Sequence, residues 1–144
     1  MLNLMFLCCF ILGGVDAFLS LKSNHPFRNV MANVEITKGV EFDTVAREWR
    51  MKWSEEKEKE SLAQVQEIVD ATLGEIKAID GVKSVQRVVC GGCLDYKIIT
   101  SVDAAKFGDW EAAGFAPEEK FLAEVSKLEG ITTVETQTFT IMPM

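Results

Sequence analysis

The chain has 144 residues, 48% of them hydrophobic, and a formal charge of −7 at neutral pH. That is the length of one ordinary domain with enough apolar content for a packed core. An acidic chain without a Lys/Arg run lacks the basic face that duplex nucleic acid requires, so nucleic-acid binding is set aside.

Residues 4–12, LMFLCCFIL, form an apolar run too short to cross a bilayer as a helix but suited to a signal-peptide core. Val15 and Ala17 follow at the −3 and −1 positions of a cleavage site, so residues 1–17 read as a signal peptide. Phe18 then heads residues 18–34, which hold Ser20, Lys22, Ser23 and Arg28 and no acid, the composition of a transit peptide. The two segments, with an aromatic residue at their junction, resemble the bipartite presequence of algae with red-derived plastids. The resemblance implies delivery to the plastid stroma, with plain secretion as the competing address. Loss of this leader removes Cys8, Cys9 and His25 and leaves Cys90 and Cys93 in a chain without histidine.

Residues 35–44 are mixed in character and read as a linker to a domain spanning 45–144. Within 45–53 the residues alternate: Val45, Trp49, Met51 and Trp53 share one face, with Arg47 the odd member. Ala46, Glu48, Arg50 and Lys52 share the other, the period of a strand. Ser54 with Glu55, Glu56 and Glu58 favours a helix start through the helix dipole. Leu62, Val65, Val69, Leu73, Ile76 and Ile79 make the apolar stripe of a long helix, which Asp80-Gly81 closes.

Two β-rich runs, 82–90 and 93–102, flank Gly91-Gly92 and predict a hairpin with a two-residue turn. Leu94, Tyr96 and Ile98 fall on one face of the second run, opposite Asp95, Lys97 and Ile99. Asp103 caps a short helix carrying Phe107 and Trp110. Pro117, Glu118 and Glu119 open another, with Phe121, Leu122, Val125 and Leu128 as its buried stripe and Gly130 as its end. Residues 131–142, rich in Thr and β-branched side chains, read as a last strand.

The order strand, helix, strand, strand, helix, strand is the α+β ferredoxin-like split βαβ arrangement, with helices on one face of a four-stranded antiparallel sheet. The hairpin and the last strand are apolar or Thr-rich on both sides. The second sheet face therefore calls for a partner, and a homodimer packed sheet to sheet is expected.

The segments GVKSVQ, LDYKIITSVDAAKFGDWE and APEEKFLAEVSKLEGI resemble those of the stress-responsive dimeric α/β-barrel family, which includes plant polyketide cyclases, over residues 45–142. The resemblance implies a dimer and a ligand cavity. Catalytic members use a histidine and a tyrosine as acid–base partners, and histidine titrates in the range that role needs. Here the family's His-Pro-x-His segment has become Ala116-Pro117-Glu118-Glu119, so the histidine role is not carried over.

Cys90 and Cys93 admit three readings: small part-buried residues beside a turn, a reversible dithiol, or half of a metal site. A structural zinc site wants four ligands and the mature chain has no histidine, so neither a metal nor another cofactor is expected. Trp49, Trp53, Tyr96, Phe107, Trp110 and Phe115, together with Phe121, are either core or the lining of an apolar pocket, with Gly108 and Gly114 as pliable points beside Trp110. Arg50 and Lys52 are either solvated or hold an anionic group. The expected function is a plastid-stromal, non-catalytic binder of a hydrophobic small molecule or a protein partner, in a stress or photosynthesis context, with no membrane attachment in the mature form. The alternatives are a thiol-regulated protein using Cys90 and Cys93 and a cyclase- or monooxygenase-like enzyme using Tyr96 or a carboxylate.

Overall fold

The computed structural model describes residues 33–144. The signal- and transit-peptide readings lie outside the described residues, apart from positions 33 and 34. The stretch read as a linker carries a small antiparallel hairpin, β1 (Val34–Thr37) and β2 (Val40–Phe42), with Gly39 between them at φ +80°. Val34, Ile36 and Val40 are exposed, and Phe42 packs against the core.

The main body follows as β3 (Thr44–Lys52), α1 (Glu56–Lys77), β4 (Val82–Cys90), β5 (Asp95–Asp103), α2 (Ala104–Ala112), α3 (Glu118–Val125) and β6 (Thr132–Ile141). The four long strands form one sheet in the order β4-β5-β3-β6, and every adjacent pair is antiparallel. This is the ferredoxin-like α+β fold, with β3 and β5 at the centre and the helices on one face.

The alternation of β3 explains the layering. Val45, Trp49, Met51 and Trp53 are buried with Tyr96, Ile98 and Val102 of β5. Val65, Val69 and Ile76 of α1 and Phe121 and Val125 of α3 close over them. Trp49 is 1% exposed and stacks on Phe121 at 4.7 Å. Phe107, Trp110 and Phe115 form a second aromatic group, with Trp110 edge-on to both others at 6.0 and 5.3 Å. Side chains of this size each contribute about 1.5–3 kcal/mol on full burial.

Asp103 caps α2 as read, its carboxylate accepting from the Ala105 amide at 2.9 Å. The entry to α1 departs from the sequence reading. Lys57, Glu58 and Lys59 all take left-handed backbone angles (φ 50°, 56° and 67°), so the regular helix begins after them. Ser61 Oγ accepts from the Ser54 amide at 3.0 Å and fixes the approach.

Candidate binding groove

Two stripes of side chains meet where α1 passes the sheet edge. Leu62 and Gln66 lie four apart on α1 and so share a helix face. The β4–β5 register pairs Val89 with Tyr96 and Arg87 with Ile98, which brings the β4 side chains beside the tyrosine. Because β4 is an edge strand, it has no further neighbour to push against α1. What remains is a groove of about 500 Å³ walled by Leu62, Ala63 and Val89, with Gln66, Arg87 and Tyr96 as polar groups and Glu58 and Lys59 at its α1 end. It shares Gln66 and Arg87 with an adjoining hollow of about 340 Å³ walled by Val69, Leu73 and Ile98.

The polar groups converge on one atom. The Tyr96 hydroxyl donates to Gln66 Oε1 at 2.8 Å, and Arg87 Nη1 donates to the same oxygen at 2.6 Å. Burial pushes the Tyr96 phenol up to about 12, the Arg87 charge opposing this and Asp70 adding to it. The phenol is therefore a neutral hydrogen-bond donor at physiological pH and no base. Groove and donors together suit an apolar molecule carrying one acceptor oxygen, which could take the place of the Gln66 amide oxygen.

Of the aromatic candidates, Tyr96 alone lines this groove. Trp49 stacks on Phe121, and Phe107, Trp110 and Phe115 pack against one another; none of these lines the groove. Trp110 Nε1 donates to the Ala116 carbonyl at 2.8 Å, which fastens the α2–α3 connection where Gly114 turns at φ +70°. Gly108 sits inside α2. Trp53 is buried, its indole nitrogen lacks a partner, and the Lys59 ammonium stands 6.0 Å from its ring.

Arg50 and Lys52 lie on the sheet face away from the helices, each already held by a carboxylate. Arg50 pairs with Glu135, and Lys52 reaches Asp95 at 2.7 Å. Glu135 raises the Arg50 guanidinium further, and the Lys52 hydrogen bond lowers the Asp95 carboxyl. Glu48, almost fully buried in the middle of this face, pairs with Lys97 at 3.4 Å. Both candidate anion contacts are thus neutralised within the chain.

The hairpin turn is longer than the glycine pair predicts. Cys90 pairs with Asp95 across the ladder, so the loop is Gly91, Gly92, Cys93 and Leu94, with Leu94 left-handed at φ 56°. Cys93 therefore sits in the loop and not opposite Cys90, and Leu94 leaves the strand face assigned to it. Cys90 and Cys93 form a disulfide with Cα atoms 5.5 Å apart. Among the described residues no His, Cys, Asp and Glu side chains cluster as a metal site, and no helix is long and apolar enough to cross a membrane.

Gln66, Arg87, Leu62 and Val89 were not singled out by the sequence as site residues. A signal for two of them exists: Gln66 falls between Leu62 and Val69 on an otherwise apolar stripe, and Arg87 interrupts an apolar strand. Gln66 is half-buried and Arg87 exposed, and the two hydrogen-bond each other across the groove.

No family profile and no curated protein matches the chain. Solved structures do share its fold. Rv0793 of Mycobacterium tuberculosis superposes with a TM-score of 0.52 at 15% identity, covering 70% of this chain and 97% of that one. A candidate antibiotic biosynthesis monooxygenase of Deinococcus radiodurans superposes with a TM-score of 0.54 at 12% identity, covering 69% and 94%. At these identities the likeness is one of fold.

Proposed function

We propose that this chain binds a small, largely apolar molecule with a single hydrogen-bonding oxygen in the α1–β4 groove, and does so without catalysing its conversion. The observation that carries this is the groove of about 500 Å³ whose apolar walls converge on the Tyr96, Gln66 and Arg87 polar groups. The absence of histidine from positions 26–144 and the neutral, high-pKa phenol favour binding over acid–base chemistry. We further propose that the protein works as a homodimer in the plastid stroma. The half-buried Ile99, Phe139 and Ile141 on the uncovered sheet face support the first part, and the composition of residues 1–34 supports the second.

A fluorescent hydroxynaphthalene titrated into the protein tests the groove. Ala63 is exposed on α1 at the groove wall, so Ala63→Trp fills the space without disturbing the core. Saturable binding that falls at least about tenfold in this variant is the expected result. Binding unchanged by Ala63→Trp would remove the groove from the reading.

A further inference from the structure

We propose that the Cys90–Cys93 disulfide is a redox latch on the α1–β4 groove, closed when oxidised and loosened when reduced; this rests on the groove being the binding site. The geometry is directional. The loop side of the disulfide has its own anchors to β3: Lys52 Nζ donates to the Cys93 carbonyl at 2.7 Å, and the Trp53 amide donates to the Leu94 carbonyl at 3.0 Å. Lys52 also holds Asp95, the first residue of β5. Among the described residues Val89 and Cys90, the last two of β4, have no such anchor; the nearest is the hydrogen bond from Arg87 to Gln66 of α1. Beyond its ladder with β5, that end is tied to the loop through Cys90, by the disulfide and by the Cys93 amide donating to Cys90 Sγ at 3.2 Å.

What the disulfide fastens is a groove wall. Val89 adjoins Cys90 in sequence and pairs with Tyr96 across the ladder, and Arg87 lies two residues further along. β4 has one strand neighbour, and residues 86–89 are exposed. Freed from the loop, this end of the strand frays first, which carries Val89 away from Leu62 and Arg87 away from Gln66. The loop contributes to the effect because Gly91 and Gly92 have open space around their Cα atoms and regain conformational freedom once the short ring opens.

The chemistry needs an external dithiol. Its thiolate attacks one sulfur of the pair, of which Cys93 is exposed and Cys90 half-buried, forming a mixed disulfide and releasing the other cysteine as a thiolate. The reductant's second thiol then resolves the mixed disulfide. Two electrons and two protons pass to Cys90 and Cys93, and the reductant leaves as its own disulfide.

The test compares the air-oxidised chain, the chain in excess dithiothreitol, and the Cys90→Ser/Cys93→Ser variant. Amide hydrogen exchange and hydroxynaphthalene affinity are measured on each. Reduction is expected to speed exchange over residues 87–90 and their ladder partners in β5 by about tenfold, the scale of opening a short disulfide ring, while the β3–β6 ladder stays unchanged. Probe affinity falls several-fold in the same step, and the double variant matches the reduced chain in both readouts and ignores dithiothreitol. Equal exchange in both states overturns the latch, as does faster exchange with unchanged affinity. A probe that binds neither state overturns the groove reading and the latch with it, whereas redox-independent binding that Ala63→Trp abolishes keeps the groove and removes the latch.

Discussion

Arg47 stands on the apolar, helix-facing side of β3, and Glu118 explains why it is tolerated there. Its guanidinium meets that carboxylate at 2.7 and 2.8 Å, Trp49 Nε1 donates to the same group at 2.7 Å, and the charge lies 4.2 Å from the centre of the Phe115 ring. Removing one partner of such a pair leaves the other charge desolvated, which costs more than the pair is worth. Glu118→Ala is expected to lower stability by about 3 kcal/mol, read from urea unfolding. Glu118→Gln keeps an acceptor for Trp49 and should cost distinctly less.

Tyr96 is the chain's one tyrosine, so tyrosinate absorbance at alkaline pH reports that residue alone. Its ionisation should have a midpoint near 12 in the folded protein. The folded value lies above the ordinary value of 10.0, so the native state holds its proton where the unfolded state has lost it. The stabilising contribution is therefore complete below pH 10 and lost as pH rises through 12, a loss on the order of 2 kcal/mol across that window. A midpoint at the ordinary value would mean the phenol is not buried beneath the groove.

At the scale of elements, the strands and the long helix were legible because their apolar side chains recur with the period of the element. The alternation of β3 and the three-and-four spacing of α1 carry their own periods. The turn between β4 and β5 was legible as a turn but not in its length. Gly91-Gly92 marks where the chain bends, while the register Cys90↔Asp95 is set by pairing along the whole ladder. The β1–β2 hairpin escaped notice because each strand is short and mostly exposed, so neither shows a clear buried side. The groove was not legible as a site, since it depends on the spacing between α1 and an edge strand and no local pattern encodes that distance.

The left-handed entry to α1 gives a prediction at this scale. A residue with a side chain costs about 1–2 kcal/mol there, and glycine largely avoids that cost. Glu58 is exposed, so Glu58→Gly should raise stability by about 1 kcal/mol in thermal unfolding. A decrease would indicate that residues 57–59 are helical in solution.

For the whole molecule, the sheet face away from the helices is where the proposed pairing of two copies would form. Its charges already answer one another within the chain: Glu48 with Lys97, Arg50 with Glu135, Lys52 with Asp95. Association must then come from Ile99, Phe139, Ile141 and Val88. Dimerisation measured by sedimentation should change little between roughly 0.05 and 0.5 M salt, where exposed charge pairs would be screened. Ile99→Asp should yield a folded monomer. A dimer that falls apart with salt would place its contacts elsewhere.

The strand order has a consequence for how the protein is made. β3 lies at the centre of the sheet, with β5 on one side and β6 on the other, and Thr44 at its start pairs with Ile141 near the end of the chain. The sheet cannot be completed during synthesis until β6 has left the ribosome. Until then β3 presents a bare edge, and closing so long a loop is slow compared with forming the neighbouring hairpin. A nascent chain of this design is exposed to wrong strand partners from the emergence of β3 until β6 has been made, and a chaperone that covers β3 would meet its need at that stage.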